Sequence, residues 1–288
     1  MTLLGELETR VVCGDGAMGT LLLDAGVQIE RCFEELCLSE PERIQKIHEE
    51  YIAAGARVIG TNTFGANAVR LARFGMEKRV HEINCAAVEV AEKARRNKDV
   101  YVGGTVGSLG ISREEAATRG IDRAKCFRDQ ITALLNGGVD IIFFETFADL
   151  EEMEIALRAK NDVGDVLEVC SFACARDGRL RCGTRLIDAF ARLRAMGAKI
   201  LGVNCLNDPR DMAALLRQIP AGYSLSVYPT AGQPLRQDSH VHYELSPESF
   251  AECAGDFITH GGRLLGGCCG TTPRHIASLA KVIANRPP

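Results

Sequence analysis

The chain reads as a single (β/α)8 barrel spanning residues 1–288, and three features lead there. Eight short β-rich runs are spread from one end to the other, helical segments separate them in strict alternation, and 288 residues sits near the usual barrel size of about 250. The predicted strands are 11–17, 57–64, 100–107, 139–147, 167–175, 199–206, 223–229 and 263–268. Ser39 ahead of Glu40-Pro41-Glu42 supplies an N-cap, an early proline and first-turn acids, so a helix is predicted over 41–54 with Gly55 as its stop. Ile83, Ala87, Val90 and Ala94 keep the helical period over 80–96. A helix over 122–136 runs into Gly137-Gly138, another over 149–159 follows the fourth strand, and one over 186–196 stops at Gly197. Asp208 caps a helix with Pro209 near its start, and Ser246-Pro247-Glu248 repeats the signal ahead of 250–259. Thr272-Pro273 opens a last helix reaching Asn285.

An open doubly wound sheet is the competing architecture, and it calls for a phosphate loop near the first strand. Gly14-Asp15-Gly16-Ala17-Met18-Gly19 does contain G-x-G-x-x-G. Asp15 inside that loop would repel a pyrophosphate, and no acidic ribose anchor follows a second strand at the right distance, so dinucleotide binding is set aside. The net charge of −4 with signs interspersed argues against a nucleic-acid or anionic-membrane partner. No apolar stretch approaches the ~20 residues needed to span a bilayer, and residues 1–12 are too short and too charged for a signal peptide. A cytoplasmic protein is expected, with its 12 cysteines reduced. Cys13, Cys85, Cys126, Cys170 and Cys253 lie in apolar or helical contexts where cysteine packs as a small hydrophobe. Cys170, Cys174 and Cys182 read as a chance cluster.

Three other cysteines have a different setting. Cys268 and Cys269 are neighbours framed by glycine in Gly266-Gly267-Cys268-Cys269-Gly270, and Cys205 closes the sixth strand. Neighbouring Cα atoms lie about 3.8 Å apart, below the usual disulfide range. The flanking glycines let the backbone turn so that both sulfurs face one point. Barrel active sites form at the C-terminal ends of strands, and the unusual residues fall there: Asp15, Asn62 and Thr63, Glu145, Asn204 and Cys205, Cys268 and Cys269. Three thiolates suit Zn2+ with a fourth position left open. Such a centre activates water poorly but binds an incoming thiol as a nucleophilic thiolate. Glu145 and Asp15 fit an ammonium, the backbone N–H groups of the glycine loop fit a carboxylate, and Gly16, Thr63 and Asn204 complete the expected substrate-binding set. A strand-end acid is as often a cap or salt-bridge partner, so the metal site carries that assignment. A thiol-bearing α-amino acid satisfies all parts, which points to homocysteine.

The sequence resembles the homocysteine S-methyltransferase family. The matching segments are Gly14–Thr20, Thr61-Asn62-Thr63-Phe64, Glu145-Thr146-Phe147, Gly202-Val203-Asn204-Cys205 and Gly266–Pro273, in order along nearly the whole chain. Cys32-Phe33-Glu34-Glu35-Leu36 and Ile47-His48-Glu49-Glu50-Tyr51 look most like bacterial proteins that fuse this domain to a methylenetetrahydrofolate reductase. The resemblance implies a zinc-bearing barrel with Cys205, Cys268 and Cys269 as ligands, and Asp15 and Glu145 on the homocysteine amino group. Gly60, Ser108-Leu109 and Thr230 depart from the family's common residues, which bears on the donor rather than on zinc. S-methylmethionine, methyltetrahydrofolate or a methyl-corrinoid protein would serve as donor. Betaine is disfavoured, because no Trp is available for an aromatic cage. The expected activity is zinc-dependent methyl transfer to homocysteine, forming methionine. The alternative is a non-catalytic zinc- and homocysteine-binding or sensor barrel.

Overall fold

The computed structural model describes residues 2–205, 208–237 and 240–285. Eight strands form one parallel sheet: β1 (Val12–Cys13), β2 (Val58–Gly60), β3 (Tyr101–Gly107), β4 (Ile141–Phe147), β5 (Leu167–Phe172), β6 (Ile200–Asn204), β7 (Leu225–Tyr228) and β8 (Gly262–Leu265). Sequential strands pair from β2 to β8, and β8 returns to β1 with Val12 opposite Leu264. A parallel bridge between Gly14 and Val58, with Arg57 N–H donating to Cys13 O at 2.7 Å, closes the ring. The (β/α)8 expectation holds, with shorter strands at the seam. Past Cys13 and Gly60 the backbone leaves the ladder to build the rim: Gly267 N–H donates to Asp15 O at 2.8 Å, and Thr63 N–H to Thr61 O at 2.8 Å.

Two local expectations change. Glu40, not Ser39, is the N-cap of the helix Pro41–Ala53, because Ser39 still belongs to a preceding turn of helix, Leu36–Ser39. The predicted helix over 250–259 is two short ones, Pro247–Glu252 and Ala254–Thr259. The stretch holding His240 and His242 is an antiparallel hairpin, Pro234–Gln237 against His240–Tyr243. Asp208 and Ser246 cap their helices by accepting from backbone N–H groups, as expected, and Asp122 and Asp149, read as first helical residues, are caps as well.

A further helix, Leu3–Thr9, precedes β1. Its Leu3 and Leu7 pack with Val12, Val58, Ile141, Phe143, Val169, Ile200 and Leu264, plugging the N-terminal end of the barrel. On the same helix Glu6 accepts from Tyr101 Oη at 2.8 Å and pairs with Arg57 at 3.3 Å. Higher up, small residues make room for large ones. A Cβ at Gly14 or Gly266 would overlap the Tyr228 ring, and one at Gly103 the Phe143 ring. The two rings meet edge-on at 6.2 Å, so two aromatics fill volume that three strands vacate. Outside, Lys160 and Glu168 form a buried ion pair at 2.6 Å, and Glu168 also accepts from Lys199 N–H. Among the described residues no helix is long and apolar enough to cross a membrane.

Candidate metal centre

The loop after β8 is held from below and from the side. Cys268 N–H donates to Pro229 O at 2.8 Å, and Thr271 Oγ1 donates to Cys268 O at 2.7 Å while accepting from Ala17 N–H at 3.0 Å. Tyr51 Oη lies 2.7 Å from Ala17 O and 3.1 Å from Thr271 O, tying the first and last loops together. Gly270 turns the chain at φ +78°, and the Tyr243 ring occupies the place of its missing Cβ. No other residue type would fit both the conformation and the space. Cys205 follows β6 at φ +59°, its N–H donating to Tyr228 O at 3.1 Å.

These supports bring the sulfurs of Cys205, Cys268 and Cys269 within 4.8 Å of one another. Among the described residues this is the one cluster of metal-ligating side chains so arranged, and Cys170, Cys174 and Cys182 form no second one. The Cys205 and Cys268 sulfurs touch, with the Cα atoms of the two residues 5.6 Å apart, and the Cys269 sulfur stands beside them. Strand ends two places apart on the rim thus come as close as a shared ion requires. Burial pushes the Cys269 thiol up, while a hydrogen bond from Tyr243 opposes the shift.

The sulfurs open onto a cavity of about 390 Å³, also lined by Asp15, Gly16, Thr63, Glu34 and Glu145. No Lys, Arg or His lines it among the described residues. Asp15 Oδ2 accepts from Gly60 N–H at 2.8 Å, and Glu145 accepts from the Thr105 hydroxyl. Enclosure by the barrel wall pushes the Glu145 carboxyl up to about 7 against that hydrogen bond. Burial, and then the nearby Glu145 charge, raise Asp15 well above the usual carboxylate range, against the hydrogen bond from Gly60. Three carboxylates and three sulfurs in a cavity lined by no basic side chain among the described residues suit cationic guests, a metal ion and an ammonium.

Asp15, Gly16, Thr63, Glu145 and the three cysteines therefore meet at one cavity. Asn204 does not line it; its side chain is spent on Thr146, with Oδ1 accepting from Thr146 N–H at 3.0 Å. His275 is a buried cap, its Nδ1 accepting from Thr272 N–H at 3.1 Å in a capping box. Glu34, Thr105 and Thr146 join the site without having been singled out from sequence. Glu34 is anchored by Gly65 N–H at 2.7 Å, a contact 31 positions away that no local pattern announces.

A parallel barrel with three convergent cysteines and an acidic pocket on its C-terminal rim defines a thiolate-metal barrel class. The homocysteine S-methyltransferase family profile matches residues 12–283, and the chain belongs to that family. It is 33% identical over 306 residues to the methionine synthase of Mycobacterium tuberculosis (strain ATCC 25618 / H37Rv). That match takes in 98% of this chain and 25% of the relative, so the chain spans about a quarter of its length. Among solved structures it resembles the Escherichia coli homocysteine methyltransferase MmuM at 26% identity. The oxidized form superposes with a TM-score of 0.78, covering 94% of this chain and 96% of that one. For the metallated form the TM-score is 0.77, with 96% and 97% covered.

Proposed function

We propose that residues 1–288 act as one homocysteine-binding barrel that transfers a methyl group to the homocysteine thiol, forming methionine. The observation carrying this reading is the convergence of the Cys205, Cys268 and Cys269 sulfurs on a cavity that Asp15 and Glu145 also line. Reduced, the three thiolates would hold Zn2+. Bound there, zinc supplies a centre that keeps an incoming thiol deprotonated and nucleophilic. Asp15 and Glu145 accept the substrate ammonium, which anchors the amino acid with its sulfur directed to the cysteine end. The glycine loop at Gly16 offers backbone N–H groups to the carboxylate, and Thr63 shapes the wall between. In the transfer the S–C bond forms as the donor–methyl bond breaks, and the donor leaves with the electron pair. Candidate donors are S-methylmethionine, methyltetrahydrofolate and a methyl-corrinoid protein. Betaine is disfavoured, since among the described residues the cavity offers only Phe33 and Phe64 as aromatic walls.

The test begins with protein reduced under anaerobic conditions, because a disulfide between Cys205 and Cys268 and a three-thiolate site would exclude each other. One zinc per chain and methionine formation with at least one donor are expected. Zinc retained by the Cys268→Ala/Cys269→Ala protein sinks the ligand assignment. Homocysteine binding with no turnover from any donor favours a sensor barrel instead.

A further inference from the structure

Two rim residues other than glycine have left-handed backbone, Thr146 and Cys205, each at φ +59°. For a β-branched residue that conformation is an outlier that persists only where the surroundings impose it. The imposition is visible in β4. Phe144 pairs with Cys170 and Phe147 with Phe172, so β4 advances three residues while β5 advances two. Such a bulge re-aims a side chain, and here it brings Thr146 round to the cavity that Glu145 also lines.

Asn204, at the end of β6, grips the bulge with both ends of its amide. Its Oδ1 accepts from Thr146 N–H at 3.0 Å, and its Nδ2 donates to Thr146 Oγ1 at 2.7 Å. An amide nitrogen only donates, so Thr146 Oγ1 is the acceptor in that contact and keeps its own hydrogen for another partner. The partner is Cys205 Sγ, 3.8 Å away. We infer that Thr146 is a positioning residue of the thiolate centre: clamped by Asn204 in a strained bulge, its hydroxyl donates to the Cys205 sulfur, sets its orientation and draws off part of its charge. Asn204 thereby serves the metal end of the site rather than the substrate. The inference rests on the reading of Cys205, Cys268 and Cys269 as zinc ligands.

The experiment uses the full chain, reduced and freed of metal, then titrated with Zn2+ against a chromogenic chelator or loaded with Co2+. Glycine adopts positive φ without strain, so Thr146→Gly removes the hydroxyl while relieving the backbone. Its melting temperature is expected to hold or rise while zinc affinity falls about tenfold, the scale of one charge-assisted hydrogen bond. Thr146→Ser keeps the hydroxyl and should stay within about twofold of the parent. The sulfur-to-Co2+ charge-transfer band should move to lower energy in Thr146→Gly and not in Thr146→Ser, because an unbonded thiolate holds its lone pair less tightly. If the glycine variant does not fold, Thr146→Val, which keeps the side-chain shape, must show the same loss and the same shift. Parent-like affinity and an unmoved band in a folded variant lacking the hydroxyl overturn the inference. Zinc that the parent never binds, or that Cys268→Ala/Cys269→Ala retains, overturns the ligand reading beneath it instead.

Discussion

Replacing Glu145 by glutamine should stabilise the metal-free, reduced protein at pH 8 and change it far less at pH 5. In the folded state the Glu145 carboxyl titrates near 7, against an ordinary 4.5. Between those values the native protein holds a proton that the unfolded chain has released. Stability therefore falls as pH rises through that window and levels off above it. The gap of about 2.5 units, at 1.36 kcal/mol each, makes the ionised side chain cost about 3 kcal/mol at pH 8 and about 1 kcal/mol at pH 5. Glutamine occupies the same space, can still accept from Thr105, and removes the charge that helps raise Asp15. For a chain of this size the gain at pH 8 corresponds to a rise in melting temperature on the order of 6 °C. Thermal unfolding followed by circular dichroism at both pH values measures it. Homocysteine should reverse the ranking at pH 8, since its ammonium compensates the carboxylate in the parent and finds no charge in the variant. An equal shift at pH 5 and pH 8, or a loss at pH 8, refutes the argument that enclosure of a charge dominates at this position.

Two further outcomes follow from the packing. Lys160→Met leaves Glu168 charged and buried beside an apolar chain, and denaturant unfolding should show a loss of about 3–5 kcal/mol; a loss under 1 kcal/mol would mean that water reaches the pair. Tyr228 buries a hydroxyl with no hydrogen-bond partner among the described residues, so Tyr228→Phe should leave stability unchanged or raise it by about 1 kcal/mol. Tyr228→Ala, which empties the space left by Gly14 and Gly266, should cost about 3–5 kcal/mol in the same assay.

Much of this was legible before any coordinates, because it depends on local chemistry repeated eight times. The β-then-α rhythm sets the barrel, and the barrel puts every strand end on one rim. Placing Asp15, Glu145, Cys205 and the cysteine pair together needs nothing more than that rule. What escaped was non-local. Asn204 reads as a substrate residue from its place beside Cys205, yet its amide is claimed by Thr146, 58 positions earlier. A bulge of one residue, invisible to a period of two, makes that meeting possible. Ser39 misleads as a cap because a turn of helix already occupies it.

The seam between β1 and β8 has a consequence for the order of assembly. The loop carrying Asp15 and the loop carrying Cys268 and Cys269 are fastened to each other through Ala17 and Thr271, which are 254 positions apart. A ribosome must release nearly all of the described chain before those two loops can meet. During synthesis the nascent barrel therefore exposes Cys205 without its partners, and a single thiol would hold a metal weakly. A metal held by all three sulfurs would be captured only once the last strand docks, so occupancy of the site would report that a given molecule has finished folding.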